Sequence, residues 1–366
     1  MSAEILSIAT AVPEHRLDAA VALEELRRFW PRLERLAEAE AALGTRYVCE
    51  PVDRLLRPRG LDELRASYLN HALDLATVAG RKALAGAGIS GRDVDLVITV
   101  SCTGYLVPSL DVHLAPVLGL RPDVTRLPIT ELGCSGGAAA LSFGARHLRA
   151  FPEHTVLVIA VELPSLSFKP ADGSPDNLTA SLVFGDGAGA AVLGGTQRSG
   201  SGLRVTRTES HLVPGTADLL GFDLGEGGFR VVLDRRLPRV LERELAPVLE
   251  RFLSRDDQPA PAFFAAHAAG PRIFDAIETA LGLPSDALGV SREVFMEVGN
   301  TSSAAIFFTL EKLVSSLGPA AMEGLGLGFG PGISVELMQL AWSPSEDARD
   351  EASAVSEVAA VSARGV

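Results

Sequence analysis

A weak internal repeat constrains this chain more than any other feature. "VDLVITVSCTG" opens one unit, and "ELGCSGGAAAL" follows about thirty residues later. "APAFFAAHAAGPRIFDAIETALG" opens a second, and "FMEVGNTSSAAIFFTLEKL" follows at a similar interval. Thr103 to Cys134 spans 31 positions, and His267 to Asn300 spans 33. Each unit offers an apolar strand ending in a polar residue, an intervening helix, and a strand-turn-helix with one reactive side chain. Two such halves packed face to face bring their strand ends to one central site. The expected fold class is α/β, a tandem of five-stranded halves with two buried central helices.

A chain of 366 residues that is 47% hydrophobic has material for two such halves. We place the first at 1–200, carrying Cys134, and the second at 201–342, carrying His267 and Asn300. From 343 to 366 the composition turns small and acidic, which reads as a disordered tail. A net charge of −13 excludes broad nucleic-acid binding. It leaves room for a small anionic ligand, because local arginines outweigh distant screened charge. No apolar run is long and uncharged enough to span a membrane. The N-terminus lacks the basic and apolar blocks of a signal peptide, so a cytoplasmic protein is expected. Cys49, Cys102 and Cys134 are the only cysteines. They form no disulfide framework and no C-x-x-C pair, so neither disulfide nor metal is expected.

Cys134 opens a helix in "ELGCSGGAAAL", where unpaired N–H groups and a partial positive charge favour thiolate over thiol. Beside a protonated histidine such a thiol falls from about 8.5 to roughly 4–7. The alternative is an inert core cysteine. His267 follows an apolar strand and precedes a Gly-Pro helix start, a setting that the other six histidines lack. Asn300, in "EVGNTSSAAIFF", opens the second half's equivalent of the Cys134 helix. It suits a helix N-cap and equally a neutral donor that, with His267 Nε2–H, holds a developing oxyanion or enolate.

Cys134, His267 and Asn300, with "GCSGG", "HAAGPRIFDAIE", "GNTSSA" and "GFGPGISVELMQL", resemble the type III polyketide synthases of the chalcone synthase superfamily. The resemblance runs from about residue 3 to residue 342. It implies a thiolase-like fold of duplicated αβαβα layers, a homodimer, and acyl-CoA and malonyl-CoA as substrates with no metal or other cofactor. It implies that His267 helps keep Cys134 as thiolate, that Cys134 takes an acyl group, and that His267 and Asn300 stabilise the enolate left when malonyl-CoA loses CO₂. Phe184 and Phe229 fall at the gatekeeping positions, and Cys102, Thr103, Val107 and Ser302 at other substrate-binding positions. Val107 would reach into the partner's cavity. Gly270, Arg272 and Arg35 are the candidate coenzyme A contacts, although the segment around Arg35 is more acidic than the family's usual basic cluster.

Cys102 offers a thiol where plant members carry threonine, and with the "SLSFKPADGSPDNL" segment it points to bacterial alkylresorcinol and alkylpyrone synthases. The expected starter is a medium- or long-chain fatty acyl-CoA, and the expected product an alkylpyrone or alkylresorcinol. One alternative is a tetrahydroxynaphthalene synthase using malonyl-CoA alone, since "SCTG" also recurs there. Others are a carrier-protein-dependent ketoacyl synthase and a non-catalytic thiolase-fold protein that binds acyl-CoA.

Overall fold

The computed structural model describes residues 2–29, 44–195, 201–225, 228–255 and 259–344. Arg35 and residues 345–366 lie outside the described residues, and with them the expected phosphate contact and nearly all of the expected tail.

A nine-stranded sheet runs through the protein. Across it the strands are Phe263–Ala266, Met322–Gly330, Ser334–Ser343, Gly202–Leu212, Ala3–Ala11, Gly187–Gly195, Thr155–Glu162, Leu96–Val100 and Thr125–Ile129. The last five of these come from the first half of the chain and the other four from the second. The two sets meet where Ala3–Ile5 pairs antiparallel with Leu203–Val205. The expected five-plus-five arrangement is therefore five plus four. The glycine-rich "LGFDLGEGGFRVVL" segment accounts for the difference, because Leu220–Gly225 and Gly228–Leu233 pair with each other as a separate ribbon.

Both faces of the first half's strands are covered, which is why they read as continuous apolar runs rather than alternations. Leu96, Ile98, Val100, Val156, Val158 and Ala160 point into one core, and Val97, Leu157, Ile159 and Val161 into another. The outer core is closed by the helices Leu61–Gly86 and Leu110–Leu118. Ala72, Ala76, Ala79 and Ala83, fully buried at helical spacing, let the long helix lie close to the sheet. On the far side, the helices Leu237–Leu253 and Pro271–Leu281 pack together over the second half.

Between these outer layers run two central helices, Gly136–Ala150 and Ala305–Ser316. The first touches strands of both halves, and the two helices touch each other. Gly137 makes that crossing possible, since a Cβ there would sit 2.0 Å from the Ser303 carbonyl oxygen. Helix, sheet, helix, sheet, helix is the layering of the thiolase-like fold. Among the described residues, no helix is long and apolar enough to cross a membrane.

Candidate active site

Each central helix is entered through a short 3₁₀ turn, Gly133–Ser135 in the first half and Ser302–Ala304 in the second. The turns begin alike, with a positive φ of 53° at Gly133 and 51° at Ser302. Cys134 is thus one residue inside its turn, and its counterpart by position is Ser303. This corrects the expectation for Asn300, which precedes its helix by a full turn's length. Its side chain does cap backbone, but locally: Oδ1 accepts from Ser302 N–H at 2.8 Å, two residues on.

The turns pack against each other and bring the reactive groups together. Cys134 Sγ lies 3.3 Å from Ser302 Oγ, and Cys102 Sγ lies 3.5 Å from the same oxygen. Asn300 Nδ2 donates to the carbonyl of Ala269 at 3.4 Å, and Ala269 N–H donates to that of His267 at 2.7 Å. Asn300 is also bridged through its backbone to Phe184.

His267 leaves the end of strand Phe263–Ala266 and is 3% exposed. Its Nδ1 accepts from Phe329 N–H at 3.3 Å, which places the ring proton on Nε2. Burial lowers its pKa to about 4, so the ring is neutral and a donor. Burial also pushes the Cys134 thiol up to about 11; the Ser302 hydrogen bond pulls it down and the charge of Glu162 pushes it further up. Burial thus acts against the charged form of both groups and opposes the favourable helix terminus at Cys134.

Glu162 is the residue that motif reading missed. It ends the apolar strand Thr155–Glu162, wholly buried. Its carboxylate accepts from the backbone N–H of Cys102 and Thr103 at 3.1 Å, from Thr103 Oγ1 at 2.7 Å and from Ser303 Oγ at 2.5 Å. One acid therefore fixes the loop with the second thiol to the second half's turn. Burial raises its pKa. The available signal was the acid itself, closing "HTVLVIAVE" where every other residue of the strand is buried.

Cys102, Thr103, Cys134, Phe184 and Ser302 line one cavity, which encloses about 1140 Å³ of empty space including its open mouth. Its outer wall is apolar, with Leu17, Val48, Val52, Leu55 and Leu56. His267 and Asn300 are not among the cavity's lining residues and are 3% and 4% exposed. The backbone of Phe229 is in the ribbon, with its side chain outside the described residues; Val231, two positions on, lines the cavity. Val107 is 80% exposed on the loop after Thr103 and does not line its own chain's cavity. Gly270, at φ 132°, caps the helix Pro271–Leu281, and Arg272, its second residue, is exposed. Among the described residues, no cluster of three or more His, Cys, Asp or Glu could hold a metal ion.

Comparison with known proteins agrees with this geometry. The family of chalcone and stilbene synthases matches in two parts, its N-terminal domain over residues 59–197 and its C-terminal domain over 204–342. A 1,3,6,8-tetrahydroxynaphthalene synthase of Streptomyces griseus is 34% identical over 92% of this chain and 91% of its own. Its namesake in Streptomyces coelicolor is also 34% identical, over 97% and 96%. The crystal structure of the Streptomyces coelicolor tetrahydroxynaphthalene synthase superposes with a TM-score of 0.88 at 32% identity, covering 93% of this chain and all of that one. The chain therefore belongs to the chalcone and stilbene synthase family and is an acyltransferase of the type III polyketide synthase class, catalysing Claisen condensation.

Proposed function

We propose that this enzyme extends malonyl-CoA units on Cys134 with no starter but malonyl-CoA, and closes the chain into a hydroxylated aromatic of the tetrahydroxynaphthalene kind. The observation that carries this reading is the likeness, 34% over 92% and 97% of this chain, to the two Streptomyces tetrahydroxynaphthalene synthases. The thiols of Cys134 and Cys102, 3.3 and 3.5 Å from one Ser302 hydroxyl, fit the "SCTG" segment shared with that branch. Cys134 sulfur attacks the thioester carbonyl, and the departing coenzyme A sulfur takes the thiol proton. Loss of CO₂ from the next malonyl group leaves an enolate oxygen for His267 Nε2–H and the amide of Asn300 to stabilise. The enolate carbon then attacks the Cys134 thioester carbonyl, its carbon–sulfur bond breaks, and Cys134 leaves as a thiolate that takes the lengthened chain back from coenzyme A. Coenzyme A thioesters are the only small molecules required in this reading, with Arg272 and Gly270 as candidate contacts and no metal or further cofactor.

The enzyme would act in the cytoplasm as a homodimer, joined through the 101–111 segment. Tyr105 and Val107, 66% and 80% exposed beside the edge strand Thr125–Ile129, support that interface. Sedimentation showing a fully active monomer would remove it.

A fatty acyl starter is the second reading, favoured by the apolar outer wall of the cavity. Each buried methylene contributes about 0.8 kcal/mol, so a chain of eight or more would dominate starter choice. Incubation with malonyl-CoA alone, then with a panel of acyl-CoAs, separates the two by mass spectrometry of products. A naphthol from malonyl-CoA alone, with no gain from fatty starters, supports the first reading. Alkylpyrones formed only with a fatty starter overturn it.

A further inference from the structure

Asp186 is wholly buried and has no ion pair among the described residues. Its carboxylate accepts from Cys49 N–H at 2.7 Å, from Ser165 N–H at 2.9 Å and from Ser165 Oγ at 2.5 Å. Ser165 lines the cavity that holds Cys134. Its hydroxyl has one proton, given to Asp186, and two acceptor sites. The Cys49 thiol at 3.5 Å fills at most one, which leaves the other for the cavity.

Four other hydroxyls line that wall. Thr103 is held between Glu162 and the N–H of Leu163, Ser302 lies between two thiols, Ser181 donates to the Asn177 carbonyl, and Ser167 has no carboxylate partner among the described residues. Ser165 thus couples the cavity to a buried carboxylate separate from the Cys134 site. Burial pushes Asp186 up to about 6, near the value that suits a base working at neutral pH. Burial raises the Cys49 thiol far above its ordinary value, so it stays protonated and takes no part.

We propose that Ser165 and Asp186 form a proton relay that takes a methylene proton from the extended β-ketoacyl chain and so directs carbon–carbon ring closure. This rests on the polyketide-forming reading given above. The methylene C–H bond breaks, its proton passes to Ser165 Oγ, and the serine's own proton passes to Asp186 Oδ2. The freed electron pair forms the new bond at a ketone carbon further along the chain. The carbonyl π pair moves to oxygen, which takes the proton back from Asp186 through Ser165. Without the relay, the chain's enol oxygen attacks the thioester instead and leaves as a lactone.

The test compares wild type, Ser165→Ala and Ser165→Thr with malonyl-CoA as sole substrate. Coenzyme A release is followed by chromatography, and the ratio of carbocyclic to lactone products by mass spectrometry. The alanine variant should lower that ratio about tenfold or more, with coenzyme A release within about threefold of wild type. Threonine, which keeps the hydroxyl, should restore the ratio. An unchanged ratio in the alanine variant overturns the relay, as does an equal loss in both variants, which marks a change of cavity shape. Wild type that releases coenzyme A but makes only lactones also overturns it. Wild type that releases none strikes instead at the polyketide reading itself.

Discussion

Gly133 and Ser302 hold the same place in two similar turns, at φ 53° and 51°, yet only one of them is glycine. At Gly133 a Cβ would fall 2.5 Å from the ring of Pro331, so glycine is required by packing as well as by conformation. At Ser302 the side chain is the contact that both thiols share, and a strained backbone is retained to present it. The following residues divide differently. Cys134 faces the cavity, whereas Ser303 is wholly buried and anchors its turn to Glu162. A duplicated backbone device thus presents the cavity-facing thiol on one side and its support on the other.

Removing the nucleophile breaks the comparison most severely. Cys134→Ala should cut polyketide formation by about 10⁴-fold or more while leaving malonyl-CoA decarboxylation measurable, because the proposed enolate donors, His267 and Asn300, lie in the second half. Release of labelled CO₂ and product yield, measured together, check this; an alanine variant that still extends chains refutes the assignment.

Asn300→Ala strikes the supporting side. We expect decarboxylation, assayed in the Cys134→Ala background, to fall roughly 10²–10³-fold for loss of one enolate donor. A fall of under about threefold would leave Asn300 as backbone cap alone.

The paired serines sharpen the division at smaller scale. Ser303→Ala leaves the buried Glu162 one donor short and should cost about 1–3 kcal/mol in denaturant unfolding. Ser302→Gly relieves a positive φ and should cost less than Ser303→Ala, or stabilise by up to about 1 kcal/mol. It should also raise the Cys134 thiol further, since the Ser302 hydrogen bond lowers it. Equal losses in both variants would mean that the turns are not specialised.

The smallest effect expected is of pH on folding. His267 titrates near 4 in the folded protein, below its ordinary 6.5, because burial penalises the charged ring. Between those values the unfolded chain binds a proton that the folded one refuses. Its contribution to stability is present above pH 6.5 and is lost as the pH falls toward 4, by about 1 kcal/mol from pH 6.5 to 5.5. His267→Gln should flatten that slope in thermal unfolding; an unchanged slope would locate the titrating group elsewhere.

Much of this was legible in the sequence because it rests on local rules. Apolar runs such as "DLVITV" and "TVLVIAV" become strands buried on both faces, and the repeated strand-turn-helix units become the two central helices. Cys134 and His267 were visible through their place at a helix entrance and a strand end. What was not legible depends on long-range contact. Ser302 meets Cys134 across 168 positions, and Ser303 meets Glu162 across 141, so neither pairing has a local signature. Burial opposes the charged forms of Cys134 and His267 and acts through the whole fold, whereas the helix terminus acts through its first turn, so its effect has no local signature either. The second half supplies four strands to the sheet rather than five, and no local feature of Leu220–Gly225 and Gly228–Leu233 shows that they pair only with each other.

The central claim is that the first turn carries the growing chain on Cys134. Brief incubation with isotopically labelled malonyl-CoA, acid quench, proteolysis and mass spectrometry of the three cysteine peptides tests it most directly. Acyl mass on the Cys134 peptide, absent from the Cys49 peptide and lost in Cys134→Ala, is the predicted result. Labelled product formed with no acyl mass ever found on Cys134 would contradict it.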